Sequence, residues 1–383
     1  MKTSTIRRSA RASRSKGFTL IEFLVAMTVF TIVTGAVFSL FRKDDPLFNQ
    51  QQSVSGLNIA LQNSITQLQI DGVNAGSGYY AGTNIPNFPV GITIAENMVG
   101  GVVTAPAVGD CGDNATYLYH ADCFDTLNII TTDPLTAPQH LGAAGNTSCA
   151  NTTSSSMILF PPTGLTAAQI TAWASALAPS YKQGDTLLLL TSDGSQMTTV
   201  NLTAATPAVA SATTVTISFQ AQTTAGVNPN DALQMTTHSG GTLDNPHTQL
   251  GSSFCNNDWV LRLQPIVYKV DDTDPSDPKL TRTVGTNAPD VIAEQIVGFK
   301  VGASIANNTD TADGAYLFDA SKFGVSPGFD FSVIRSVRVS VIGRTPPNGG
   351  STGKFTNTYD NGPYQIQGLS VVINPRNLSM TDI

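Results

Sequence analysis

One carboxylate in this sequence lies where a charge is costly. Glu22 is the single charged residue of the run from Phe18 to Phe41, whose other residues are apolar or weakly polar. A charged side chain at the centre of a bilayer costs about 3 kcal/mol on insertion scales, and residues of this kind are by default functional and have a partner. Glu22 is therefore a candidate for pairing with a cation inside a membrane.

Cysteines form the second candidate group, and all four follow the apolar run: Cys111, Cys123, Cys149 and Cys255. An even number of cysteines in an oxidising compartment favours disulfides. The spacing of Cys111 and Cys123 does not fit a zinc knuckle. Four cysteines allow three pairings, and the sequence leaves the choice open, although Cys111–Cys123 with Cys149–Cys255 closes the shortest first loop.

Oxygen ligands are concentrated in the segment from Asp271 to Asp277, where Asp272, Asp274 and Asp277 are weak candidates for a calcium site. The EF-hand pattern fails, because its sixth and twelfth positions counted from Asp272 are Asp277 and Thr283 instead of Gly and Glu. A solvated turn between two strands is the simpler interpretation. We therefore expect no cofactor.

Motifs of catalysis are missing from the sequence. It contains no GxSxG elbow, no phosphate-binding loop and no HExxH pair among its histidines, which are His120, His140, His238 and His247. The sequence therefore predicts a protein without catalytic residues that is not an enzyme.

The apolar run is long enough to position Glu22 within a membrane. A helix from Phe18 to Phe41 would be about 36 Å long, and a hydrocarbon core is about 30 Å thick. The residues before it include six bases and no acid: Lys2, Arg7, Arg8, Arg11, Arg14 and Lys16. By the positive-inside rule the first residues stay in the cytoplasm and the rest is exported.

Two simpler interpretations of this segment fit less well. A secretory signal has a shorter apolar core and a small-x-small cleavage site, whereas this run ends at Phe41-Arg42. A plain transmembrane anchor leaves Glu22 unexplained.

The junction Gly17-Phe18-Thr19-Leu20-Ile21-Glu22 resembles the class III leader junction of type IV pilins and type II secretion pseudopilins. The resemblance implies that a prepilin peptidase in the inner membrane removes residues 1–17 by cutting after Gly17, that Phe18 becomes the N-methylated terminus, and that Glu22 acts in subunit assembly. Glycine suits the cut because a side chain would obstruct close approach to the backbone.

Composition and charge limit what the remainder can do. The formal net charge is −7, and removal of the basic leader makes the exported part more acidic still. No basic stripe with interleaved aromatic residues is present, so we predict no nucleic-acid partner. Abundant Thr, Ser, Asn, Ala and Gly with few Lys and Glu indicate β-sheet and long polar loops.

Apolar periodicity divides the mature chain into segments. Residues 18–42 form the transmembrane or assembly helix. Residues 43–78 are its amphipathic continuation, with one apolar stripe at Val54, Leu57, Leu61, Ile65 and Leu68. Residues 79–383 form a β-rich head with an enlarged variable region at 80–255 and a sheet at 256–383. The predicted fold class is α+β, a long N-terminal helix packed on an antiparallel sheet.

Four strands are predicted in the C-terminal third, at Trp259–Val270, Val291–Val301, Phe331–Arg344 and Tyr364–Asn374, joined as an antiparallel meander. The order of a tyrosine strand at Pro265–Val270 and later strands ending in Pro375-Arg376-Asn377 is similar to PilW-type minor pilins and GspJ-type pseudopilins. Upstream, Leu187 to Leu190 predicts a strand covered on both faces, and Thr166-x-x-Gln169 predicts a capped helix.

By these resemblances we expect a minor pilin that primes or caps a type IV pilus, in contact with other pilins through its N-terminal helix. It would first sit in the inner membrane with its head in the periplasm and then enter the pilus or pseudopilus at the cell surface. Two alternatives remain open: a tip pseudopilin of a type II secretion system, and a membrane-anchored envelope binding protein or adhesin that uses the 80–255 region.

Overall fold

A computed structural model of the protein describes residues 17–77, 91–95, 112–113, 118–119, 124–142, 149, 155–192, 197–219, 254–255, 257–305, 334–345, 357–358 and 362–376. The chain divides into two compact units, Met1–Ser55 and Gly56–Ile383. The long helix α1, Leu20–Val73, contributes residues to both units.

The remaining described elements belong to the second unit. A shorter helix, α2, spans Ala167–Leu177 and is followed by a 3-10 turn at Ala178–Ser180. The strands are β1 Ile92–Ala95, β2 Gly112–Asp113, β3 Leu118–Tyr119, β4 Thr126–Thr132, β5 Gln139–Leu141, β6 Ser156–Phe160, β7 Thr186–Leu190, β8 Met197–Asn201, β9 Ala208–Ala210, β10 Val215–Ser218, β11 Trp259–Asp271, β12 Lys279–Val284, β13 Asp290–Ala293, β14 Ile296–Ile305, β15 Ile334–Arg344 and β16 Ile366–Ile373.

The part of α1 within the second unit is amphipathic. Leu57, Leu61 and Leu68 are buried, and Val54 and Ile65 are partly buried. These spacings of three and four residues place side chains on one helix face. The predicted apolar stripe is therefore correct, and its three leucines belong to the core that also holds the inner face of β15.

Two glycines allow this part of α1 to approach the strands closely. A methyl group on Gly343 of β15 would lie 2.7 Å from a methyl carbon of Leu57, and one on Gly72 would lie 2.7 Å from Ile373 of β16. Backbone and side chain could not approach this closely with any larger residue at either position.

Strand β11 organises the larger, 11-stranded sheet. One edge of β11 pairs with β7 along its first half and with β12 along its second half. The opposite edge pairs with β5 and then β4. All these pairings are antiparallel. All five residues of β7 are buried, as its apolar run predicts.

A smaller sheet has the order β14–β15–β16 and is also antiparallel. The single strand predicted at Val291–Val301 is wrong, because the chain turns at Glu294-Gln295 and contributes β13 to the large sheet and β14 to the small one. Gln295 makes this turn with a φ of 57°. The other three predicted strands match β11, β15 and β16 within the described residues.

A second apolar core lies under α2. It contains residues of β6, β7 and β10 together with Ala174, Tyr181 and Phe254. The predicted cap is present, since the Thr166 hydroxyl accepts from the Gln169 amide nitrogen while the Gln169 side chain accepts from the backbone of Thr166. The long helix and the antiparallel sheets confirm the α+β fold class.

Candidate functional site

The structure gives Glu22 a partner within its own chain. The Glu22 carboxylate accepts hydrogen bonds from the backbone nitrogen of Thr19 at 2.9 Å and from the Thr19 hydroxyl at 2.8 Å. The Thr19 hydroxyl in turn accepts from the Glu22 nitrogen at 3.4 Å. This reciprocal pattern is a capping box that satisfies exposed N–H groups at the start of a helix. In the single chain, Glu22 therefore stabilises the N-terminus of α1.

Sequence reasoning missed Thr19 as a functional residue. The signal was present, since Thr-x-x-Glu before an apolar run is the capping-box pattern. The box also explains why α1 begins at Leu20 and why Gly17 and Phe18 precede the helix. Both residues are exposed, so the predicted processing position is accessible in the single chain.

The first part of α1 keeps its apolar side chains exposed. The segment Leu20–Phe41 is long and apolar enough to cross a membrane, and none of it is buried within the chain. Its large exposed side chains are Leu20, Ile21, Phe23, Leu24, Val25, Met27, Val29, Phe30, Ile32, Val33, Val37, Phe38, Leu40 and Phe41. An apolar surface of this size is typical of a membrane or protein contact.

Two threonine hydroxyls in this segment are bonded to the backbone of their own helix. The hydroxyl of Thr28 donates to the carbonyl oxygen of Val25 at 2.8 Å, and that of Thr31 donates to Met27 at 2.8 Å. Hydroxyls bonded to their own helix leave no unpaired donor facing lipid. In the described part of this segment, Glu22 remains the single ionisable group.

One of the expected disulfides lies within the described residues. The structure contains a disulfide between Cys149 and Cys255, one of the pairings that the sequence left open. Cys111 and Cys123 lie outside the described residues. The bond joins two positions that are 106 residues apart, across the enlarged region.

The three aspartates of the calcium candidate do not converge on a shared centre. Asp274 accepts from the backbone nitrogen and hydroxyl of Ser276, and Asp277 pairs with Lys279 at 3.2 Å. The hydrogen bonds from the hydroxyl and the backbone nitrogen of Ser276 hold the pKa of Asp274 below its usual value. Among the described residues, no three His, Cys, Asp or Glu side chains are arranged to hold a metal ion. Hydrogen bonds within the segment instead form a turn between β11 and β12.

Of the four histidines, His140 is described and the others lie outside the described residues. Its ring lies 3.8 Å from that of Trp259, centroid to centroid, and its Nδ1 is 3.1 Å from the carbonyl oxygen of Asn257. These contacts give His140 a structural role at the start of β11.

Comparison with known proteins identifies the N-terminal segment. Residues 12–38 match the prokaryotic N-terminal methylation motif, which confirms the resemblance to prepilins at the leader junction. The narrower resemblance to PilW-type minor pilins and GspJ-type pseudopilins stays a prediction. No curated protein matches the chain.

Among solved structures, a type IV-like pilin from Thermus thermophilus is similar to this chain at 12% identity. The match covers 57% of this chain and 99% of that pilin, with a TM-score of 0.18. This TM-score is too low to indicate a shared architecture.

Proposed function

We propose that this chain, with its prepilin-type N-terminus, is a minor pilin, a non-enzymatic subunit that primes or caps a type IV pilus. The observation that carries the proposal is the methylation motif at residues 12–38, joined to a helix whose apolar side chains are exposed. A filament subunit needs such a surface, because the same helix must first lie in lipid and then pack against neighbouring subunits.

The proposed maturation begins with cleavage after Gly17 in the inner membrane. A prepilin peptidase cuts on the cytoplasmic side, and Phe18 is then N-methylated. Support comes from the exposed, non-helical backbone of Gly17 and Phe18 next to the capped start of α1. The head is then periplasmic, as the six basic leader residues favour.

Mass spectrometry of the mature N-terminus tests this step. We expect a chain that starts at methylated Phe18, and we expect Gly17→Arg to retain its leader. An intact leader in the wild type, or a start beyond Phe41, contradicts the filament proposal.

The proposed assembly role of Glu22 depends on a second partner. In the single chain its carboxylate is bonded to Thr19 through uncharged groups. Cleavage after Gly17 creates a positive α-amine at Phe18, and an amine from a neighbouring subunit would lie at a similar depth. A carboxylate paired with a cation regains much of the free energy that a lone carboxylate loses in an apolar environment. Docking of a neighbour is thereby favoured.

Two substitutions separate this pairing from helix capping. Glu22→Gln keeps a side chain that can complete a capping box but removes the charge, whereas Glu22→Ala removes both. We expect both variants to be inserted in the membrane and cleaved, and both to enter filaments less than wild type. Thr28→Val, which removes a hydroxyl bonded within α1, serves as the control.

The readout compares cleaved, membrane-extracted and filament-associated fractions. Normal incorporation of Glu22→Gln together with a defect in Glu22→Ala would show that Glu22 acts through capping alone. A subunit at the tip has no neighbour above it, so the defect is expected to be partial.

The prepilin motif fits a tip pseudopilin of a type II secretion system equally well, which makes that role the second candidate. The two differ in what fails when the gene is deleted. Loss of pili with normal protein secretion supports the minor pilin, whereas loss of secretion with normal pili supports the pseudopilin.

A further inference from the structure

A small polar pocket in the head has no part in filament assembly as proposed above. Its volume is about 80 Å³. Four segments converge on it: the end of β4 at Asp133, the turn at Lys182–Thr186, the middle of β11 at Arg262–Pro265, and the turn after β12 at Val284–Asn287.

Arg262 lines this pocket, and some of its N–H groups have no hydrogen-bond partner among the described residues. Its Nε and one terminal nitrogen contact the two oxygens of Asp185 at 2.9 and 3.0 Å, and its other terminal nitrogen donates to Asp133 at 2.9 Å. A guanidinium carries five N–H donors. One N–H on each terminal nitrogen is therefore left without a partner among the described residues.

The charges around Arg262 balance one another. The side chains of Asp133 and Asp185 are 3% and 4% exposed, so two buried carboxylates face one guanidinium. Asp133 also accepts from the Leu135 nitrogen and the Thr136 hydroxyl, which fixes it in place. Lys182 adds a positive charge to the pocket wall. The two carboxylates and the two cations balance, so the pocket gives an anion no electrostatic advantage over a neutral oxygen.

A buried hydroxyl beside this cluster also lacks a partner. The Tyr181 side chain is buried, and its hydroxyl makes no hydrogen bond within the described part of the chain. Burial raises the pKa of Tyr181 well above its usual value, and the charges of Arg262, Asp185 and Asp133 also act on it. Tyr181 belongs to the apolar core under α2 and is not one of the residues that line the pocket. A buried polar group without a partner is costly, and one in a native protein needs an explanation.

Of the four uncharged polar side chains that line the pocket, Thr186 donates to Asn201. Gln264, Thr286 and Asn287 make no side-chain hydrogen bond within the described residues. Each supplies both a donor and an acceptor. Between them and the strand, Gly285 has a φ of 56° and open space where a side chain would begin. These three side chains can therefore bind a ligand that both donates and accepts hydrogen bonds.

We propose that this pocket binds two adjacent hydroxyls of a neutral polyol, such as one edge of a sugar ring. The two free N–H groups of Arg262 suit two neighbouring oxygen acceptors, and the amides of Gln264 and Asn287 accept the hydroxyl protons. The small volume admits an edge of the ring and leaves the rest of the sugar in solvent. The site lies partly on the enlarged 80–255 region and works independently of α1.

Saturation-transfer NMR on the full chain tests the proposal. The protein is kept in a zwitterionic detergent without a sugar headgroup, because a glycoside detergent would compete. The probes are glycerol, glucose, galactose and mannose, with acetate and methyl phosphate as anions. We expect transfer from at least one neutral probe and none from the anions.

Substitutions in the pocket wall assign the signal to the pocket. Thr286→Ala and Asn287→Ala should each reduce it several-fold, while Thr213→Ala and Gln69→Ala, which remove exposed side chains elsewhere, should leave it unchanged. Three results overturn the proposal: no transfer from any neutral probe, stronger transfer from an anion, or equal signals in the pocket and control variants. These three results concern ligand binding by the pocket, and the proposed role in filament assembly does not depend on them.

Discussion

Asp71, in the last turn of α1, forms a two-point ion pair with Arg282 of β12. The Nε and Nη2 atoms of Arg282 contact the two carboxylate oxygens of Asp71 at 2.6 and 3.1 Å. The Tyr268 hydroxyl of β11 donates to the same carboxylate. The end of the helix is thus fixed to two neighbouring strands through a single acid, which is 7% exposed.

Arg282→Gln should destabilise the head, because it leaves the Asp71 carboxylate buried without a cation. We expect a loss of about 2 kcal/mol in the free energy of unfolding, less than for a fully buried pair because Arg282 is partly exposed. Urea unfolding followed by tryptophan fluorescence measures it. Lys279→Gln on the same strand breaks the exposed pair with Asp277 and should have little effect. Similar effects of the two changes would contradict the importance of burial.

Tyr268→Phe should change how stability depends on alkaline pH. Burial, and next the hydrogen bond to the Asp71 carboxylate, raise the pKa of Tyr268 above its usual value. The folded state therefore holds a proton that the unfolded state releases above about pH 10. Stability from this group is complete below that pH and is lost as the pH rises towards the folded-state pKa.

The measurement is the urea midpoint between pH 8 and pH 11. The wild type should lose stability over this range more steeply than Tyr268→Phe. Tyr181→Phe should flatten the curve in the same direction, since burial raises the pKa of that tyrosine too, although its hydroxyl has no partner among the described residues. Parallel curves for wild type and Tyr268→Phe would refute the prediction.

Reduction of the Cys149–Cys255 disulfide should destabilise the head. The bond links positions 106 residues apart, and the chain-entropy model gives a loss of up to about 5 kcal/mol for a loop of this length. Unfolding midpoints with and without reductant measure the loss. The double variant Cys149→Ser/Cys255→Ser should start at the lower midpoint. Equal midpoints for oxidised and reduced wild type would contradict this role.

Gln295 permits a matched test of the turn between the two sheets. Its side chain donates to Asp277 and to the carbonyl oxygen of Ser276, and it accepts from Arg344 at 2.7 Å. Gln295→Ala and Gln295→Gly both lose these bonds, but glycine adopts a positive φ without steric cost. We expect both variants to unfold more easily than wild type, with glycine more stable than alanine by about 1 kcal/mol. Equal stability would indicate that the turn relaxes.

The turn at Gln295 is a feature of the fold that could not be predicted from the sequence. A glycine at position 295 would predict a break, but glutamine at positive φ gives no local signal, so the sequence predicts a single strand where the structure has β13 and β14. Helix α1, its buried leucines and the buried run of β7 follow from periodicity alone. The partnership of Asp71 with Arg282 depends on the tertiary fold, which places residues 211 positions apart in contact. The same holds for Arg262 with Asp133 and Asp185.

The position of β11 late in the sequence has a consequence for biosynthesis. Strands β4 and β7 precede it, and each pairs with it directly. A ribosome makes the chain from the N-terminus, so both strands emerge before the strand that covers one of their edges. Unpaired strand edges are templates for aggregation. Until residue 271 has been made, each of these two strands therefore lacks the partner that covers one of its edges in the folded head.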